Sequence, residues 1–395
     1  MLESWRWFGP NDNVSLENII QAGAKAVVTS LHHVAIGDVW SLDEINKRKS
    51  LIEAKGLQWA VVESVPLHND IKLRKGNYQQ YIKAYCQTIR NLAAAGVNTI
   101  CYNFMPVVDW TRTSLMYKLA NESYALRFCM DDFVAYDVFV LQRENSRSDY
   151  SEAQVESAER RYKAMTEEEI TTLEHNIIAG LPGGAEAYDR SGIASAINEY
   201  QGVSNEDFAQ NLFYFLQQVI PTAEECGVRM CIHPDDPPFS LFGLPRVVST
   251  IDDAKAIVAA VDSAANGITM CAGSYGARAD NDLVAIVKEL GKHIHFVHLR
   301  NIERQPDGSF YESEHLQGDN DMYGLIKALL EEEAQRKSQG REDLSIPMRP
   351  DHGHLLADDI GKKVNPGYSM LGRMKGLAEL RGAIYALERM QSESA

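Results

Sequence analysis

Eight short apolar runs recur along the 395-residue chain, and a helical pattern follows each one. The runs are Trp5–Phe8, Ala26–Leu31, Gln58–Glu63, Thr99–Phe104, Arg229–His233, Gly267–Cys271, His295–Leu299 and Ser345–Arg349. The intervening helices carry start and stop signals. Ser15 stands before Leu16-Glu17-Asn18-Ile19-Ile20 as an N-cap, and Ser41-Leu42-Asp43-Glu44 has capping-box spacing. Tyr78 to Ala95 is amphipathic and stops at Gly96, while Ser204 to Cys226 stops at Gly227. Asp252–Ala264, Asn281–Leu290, Asp321–Arg336 and Met370–Met390 complete the set. Parallel strands need a long crossover, usually a helix, between them. Eight such units in succession predict an α/β fold, the (β/α)8 or TIM barrel.

The alternation breaks once. From Pro106 to about Tyr200 strand signals are sparse and charged helical patterns such as Ser151–Leu173 dominate. This predicts one barrel domain over residues 1–395 with a largely helical insertion, 106–200, after the fourth strand. The turn-forming Gly180-Leu181-Pro182-Gly183-Gly184 would be its tip. The competing reading is a separate small helical domain. A net charge of −16 argues against nucleic acid or an anionic membrane as partner, because both require a basic face. A small anionic substrate needs only a local cationic cluster and stays open. The six cysteines are scattered with no Cys-x-x-Cys pair, which fits a reducing compartment. With no apolar leader at Met1–Phe8 and no run of spanning length, a soluble cytoplasmic protein is expected.

Chemistry in this fold sits at the C-terminal ends of the strands. The last four strands end at His233, Cys271, His298 and, two residues past Arg349, Asp351. Each has a bland reading: a scaffold imidazole, a buried thiol, a turn-capping carboxylate. Their coincidence at consecutive strand ends, about 5 Å apart, points instead to one metal ion. By ligand softness the ion is Fe(II) or Zn(II), with Mn(II) open through the carboxylate. His352 follows a proposed ligand, and successive residues of an extended chain face opposite ways, so it is left as an acid or base. Tyr368, in the turn Asn365-Pro366-Gly367-Tyr368, would stand by the same rim. Arg300, Asn301, Asn103, Arg349, His32 and His33 also lie near strand ends and suit a polyhydroxylated acid.

Six segments together resemble the mannonate dehydratase family, from Trp5 to the last helix. They are Trp7-Phe8-Gly9-Pro10-Asn11-Asp12, Val27-Val28-Thr29-Ser30-Leu31-His32, Cys271-Ala272-Gly273-Ser274, His298-Leu299-Arg300-Asn301, Arg349-Pro350-Asp351-His352-Gly353-His354 and Asn365-Pro366-Gly367-Tyr368. The resemblance implies a TIM barrel akin to the xylose-isomerase-like sugar enzymes, Fe(II) or Mn(II) as cofactor, and a homo-oligomer, typically a dimer. It implies conversion of D-mannonate to 2-dehydro-3-deoxy-D-gluconate in hexuronate (glucuronate) catabolism. The family's metal ligands fall on His233, Cys271, His298 and Asp351, and its acid/base pair on His352 and Tyr368. Elimination would remove the C2 proton and expel the C3 hydroxyl, with Arg300 aiding the substrate carboxylate. Which of His352 and Tyr368 serves each step stays open. The competing functions are a metal-dependent sugar or uronate isomerase on the same barrel, and a non-catalytic sugar-acid-binding protein.

Overall fold

In the computed structural model, residues 1–178 and 188–394 are described. Among the described residues twelve strands form: β1 (Leu2–Arg6), β2 (Ala26–Thr29), β3 (Gln58–Glu63), β4 (Thr99–Tyr102), β5 (Ser114–Lys118), β6 (Tyr124–Phe128), β7 (Arg229–Ile232), β8 (Asn266–Cys271), β9 (Ile294–His298), β10 (Ile302–Arg304), β11 (Phe310–Glu312) and β12 (Pro347–Arg349). Eight of them close a parallel barrel in the order β1-β12-β9-β8-β7-β4-β3-β2, so each expected strand is present. The first, Leu2–Arg6, starts and ends a few residues earlier than the expected Trp5–Phe8. Trp7 and Phe8 belong to the loop beyond β1, where Gly9 takes a left-handed φ of 96° and the Asp12 carboxylate accepts from the Phe8 amide at 2.7 Å.

The two-residue period of the strands divides the core. Ala26, Val28, Val61, Cys101, Cys231 and Phe296 fill the barrel interior. Their neighbours Val27, Val62, Ile100, Met230, Ile268 and Val297 pack outward under the helices. Both faces are covered, which is why these strands read as continuous apolar runs.

The helices start where their caps specify. Ser15 and Ser204 form full capping boxes with Asn18 and Asp207. The box expected at Ser41 is only half formed. Ser41 accepts from the Glu44 amide, but the Glu44 carboxylate turns to Lys47 and His33, each at 2.8 Å.

The insertion is largely helical, as expected, but it also carries two strands that the sequence reading did not foresee. It opens with an antiparallel hairpin, β5–β6, before its helices Met130–Ala135, Glu152–Ala164, Glu167–Ile178 and Arg190–Asn198. The hairpin joins β10 and β11 in a second, four-stranded sheet of order β10-β11-β6-β5. Phe128 stacks on Phe310 at 5.7 Å and Tyr117 meets Tyr311 at 5.4 Å across it. Partners so distant in sequence leave no local period to read, and the edge strand β5 is half exposed. The Gly180–Gly184 turn lies outside the described residues. Among the described residues no helix is long and apolar enough to cross a membrane.

Candidate active site

β7, β8 and β9 are hydrogen-bonded neighbours, with Cys271 in register with His298 and Arg349 with His298. That register brings one donor atom each from His233, Cys271 and His298 within 4.8 Å of one another. Asp351 joins from beyond β12. Its Oδ2 is 3.8 Å from Cys271 Sγ and 4.0 Å from His298 Nδ1. Donors spaced so match bonds of about 2.0–2.3 Å to a single ion.

The outer atoms of the two imidazoles decide what the inner ones present. His233 Nδ1 donates to the Pro234 carbonyl at 2.7 Å. His298 Nε2 lies 3.3 Å from Glu63 Oε1, which favours the proton there. His233 Nε2 and His298 Nδ1, 3.2 Å apart, therefore turn lone pairs toward each other. Two facing lone pairs call for a positive charge, so the donor set fits a divalent cation. Cys271 Sγ receives the Ser274 hydroxyl at 3.1 Å and Arg300 Nη2 at 3.9 Å. Gly273 is required nearby, because a Cβ there would collide with Arg300 Nε.

Asp351 and His352 part company for a reason other than the extended alternation expected. Asp351 has a left-handed φ of 66°, a conformation Asp tolerates better than most residues. Its carboxylate pairs with Arg349 and, at 3.3 Å, with Arg300 Nε. Burial pushes its pKa up. Arg349, His352, Arg300 and His298 outweigh that and hold it well below the ordinary range.

His352 turns to β11. Its Nδ1 is 2.8 and 3.0 Å from the two Glu312 oxygens, leaving Nε2 as the unanchored nitrogen. Arg300 Nη1 shares the same carboxylate at 3.1 Å. The His352 ring meets Tyr368 edge-on at 4.9 Å. Tyr368 is fixed by its turn. Pro366 and Gly367 (φ 78°) occupy the central positions, and the Tyr368 amide closes on the Asn365 carbonyl at 2.8 Å. Burial pushes the Tyr368 phenol up to about 12, with Arg349 and Arg6 only partly opposing it.

One cavity is lined by His233, Asp351, His352, Tyr368, Arg300, Arg349 and Asn103, together with Glu63, Asp109, Trp110 and Asp236. Two expected substrate contacts stand elsewhere. Asn301 is wholly buried. Its amide holds the carbonyls of His315 and Asn320 and accepts from the amides of Ile302 and Asn320, so it shapes the β9–β10 loop. His33 has an exposed side chain paired with Glu44 and borders a neighbouring groove with His32.

Arg300 lines the cavity, but carboxylates surround it. Nη2 reaches Asp236 at 2.8 Å, Nη1 reaches Glu312, and Nε lies beside Asp351. Arg112, fully buried, bridges Asp236 at 2.7 Å and Glu312 at 3.1 Å. Arg349 and Arg6 hold Glu63 at 2.9 and 3.1 Å. Four arginines and four carboxylates thus neutralise one another around the site. Removing one partner from such a buried pair typically costs about 3–5 kcal/mol.

Sequence reasoning passed over Glu63, Asp236, Glu312, Arg112, Asp109 and Trp110. Glu63 had a legible signal, a carboxylate closing an otherwise apolar strand. Asp236 stands three residues past His233, just beyond β7. Arg112 and Glu312 depend on the second sheet and had no local signal.

Residues 1–394 match the family described as D-mannonate dehydratase (UxuA). The chain is 60% identical to the mannonate dehydratase of Saccharophagus degradans over the full length of both. It is 54% identical to mannonate dehydratase 2 of Agrobacterium fabrum over 98% of each. The crystal structure of mannonate dehydratase from Streptococcus suis serotype 2 superposes with a TM-score of 0.77 at 33% identity, covering 99% of this chain and 95% of that one.

Proposed function

The chain belongs to the D-mannonate dehydratase family, and on that premise we propose that it removes water from D-mannonate to give 2-dehydro-3-deoxy-D-gluconate. The observation that carries the reading is the pairing of His352, anchored through Nδ1 on Glu312, with Tyr368 beside the His233–Cys271–His298–Asp351 donor set. His352 takes the C2 proton on Nε2, and the Glu312 carboxylate stabilises the imidazolium that results. The negative charge left behind spreads into the substrate carboxylate, near the guanidinium groups of Arg300 and Arg349. Tyr368, kept protonated by burial, delivers a proton to the departing C3 hydroxyl. The enol product then tautomerises to the 2-keto acid. His233, Cys271, His298 and Asp351 would hold Fe(II) or Mn(II), whose chemistry when bound is Lewis-acid polarisation of the substrate carboxylate. A cytoplasmic homodimer acting in hexuronate catabolism is part of the same proposal and draws its support from family membership.

Exchange of the C2 hydrogen with deuterated water tests the assignment of roles. His352→Asn is expected to abolish both exchange and dehydration. Tyr368→Phe is expected to retain exchange while dehydration slows by about 100-fold or more. Exchange retained in His352→Asn and lost in Tyr368→Phe would invert the roles.

A further inference from the structure

The segment between β4 and the hairpin, Asn103 to Trp110, brings hydrogen-bonding groups to the cavity that the elimination does not use. Trp110 is 3% exposed and lines the cavity, wedged between Arg112 (4.8 Å from its ring) and His352 (6.0 Å). Its indole Nε1–H has no hydrogen-bond partner among the described residues. A buried donor left unpaired is costly and rare, and a bound ligand is one thing that pairs it. Beside it, Asp109 Oδ1 also has no hydrogen-bond partner among the described residues, its nearest cation being Lys72 Nζ at 3.7 Å. Lys72 donates instead to the Met105 carbonyl at 2.6 Å and so fixes this segment in place. Asn103 Nδ2 reaches the other Asp109 oxygen at only 3.4 Å. The cavity arginines are already engaged by carboxylates, whereas Trp110, Asp109 and Asn103 retain donor and acceptor capacity.

The geometry points to a subsite for the polyol tail of the substrate: we propose that Trp110 donates to, and Asp109 accepts from, the hydroxyls beyond C4, with Asn103 orienting Asp109. A hydroxyl is both donor and acceptor, so an adjacent indole N–H and carboxylate suit a chain of them. The inference rests on the sugar-acid reading of the site and adds how the length and hydroxylation of the substrate are sensed.

Trp110→Phe removes the donor while keeping a ring in the packing, and Asp109→Asn keeps the shape while altering the acceptor. Both variants are assayed with D-mannonate, and with the four-carbon aldonate of the same C2 and C3 configuration as a competitive inhibitor. The expected result is a KM for D-mannonate raised by about tenfold or more, kcat held within a few-fold, and an unchanged inhibition constant for the four-carbon acid. A parallel rise in that inhibition constant, or an unchanged KM, would overturn the subsite. A wild-type protein that does not dehydrate D-mannonate would instead overturn the functional reading, and this inference with it.

Discussion

At the scale of single residues, the site is a set of charged groups held in place by other charged groups. Glu312 fixes the His352 ring without lining the cavity. Glu312→Gln is expected to lower kcat by roughly 10–100-fold while bound metal is unchanged, as measured by steady-state kinetics with elemental analysis. Glu63 stands behind His298 as Glu312 stands behind His352. Glu63→Gln is expected to weaken metal affinity by a similar factor, read by competition with a calibrated chelator. The contrast shows how far sequence reaches at this scale. His233, Cys271, His298 and Asp351 were legible because strand ends converge by topology. Their supporting carboxylates were harder to see. Glu63 closes a recognised strand, whereas Glu312 acts from a three-residue strand whose meaning depends on where the second sheet folds. Arg300 was legible as a site residue, but its three carboxylate partners were not.

Among elements, the barrel strands were readable because both of their faces are apolar and their crossovers carry helix caps. The second sheet was not, since β6 and β11 stabilise each other across distant parts of the chain. That sheet orders the site, because Arg112 and Glu312 flank its aromatic layer. Phe310 is fully buried, stacks on Phe128 and lies under Arg112 at 4.9 Å. Phe310→Ala is expected to cost about 3–5 kcal/mol in urea unfolding and to lower kcat as well. Loss of stability with kcat intact would detach the sheet from catalysis. A barrel helix offers the control: Ser204→Ala removes a full capping box, neither member of which lines the cavity, and is expected to cost about 1 kcal/mol with no effect on turnover.

Over the whole molecule, the interlocked charges set a pH limit. Burial raises the pKa values of Glu63, Asp236, Glu312 and Asp351, yet the surrounding arginines and histidines prevail and all four end below their usual range. A group with a depressed folded pKa contributes stability above its unfolded pKa and loses it as pH falls through the folded value. The melting temperature of metal-stripped protein is therefore expected to fall steeply below about pH 5, where unfolded carboxyls begin to protonate. A melting temperature held constant to about pH 3 would contradict this balance of charges.

The most direct test of the central claim is the mass of the product formed from D-mannonate by protein stripped of metal and then reloaded with Fe(II) or Mn(II). The expected result is a 2-keto acid lighter than the substrate by one water, formed by the reloaded protein and lost on chelation. A product of unchanged mass, or dehydration undiminished by complete chelation, would contradict it.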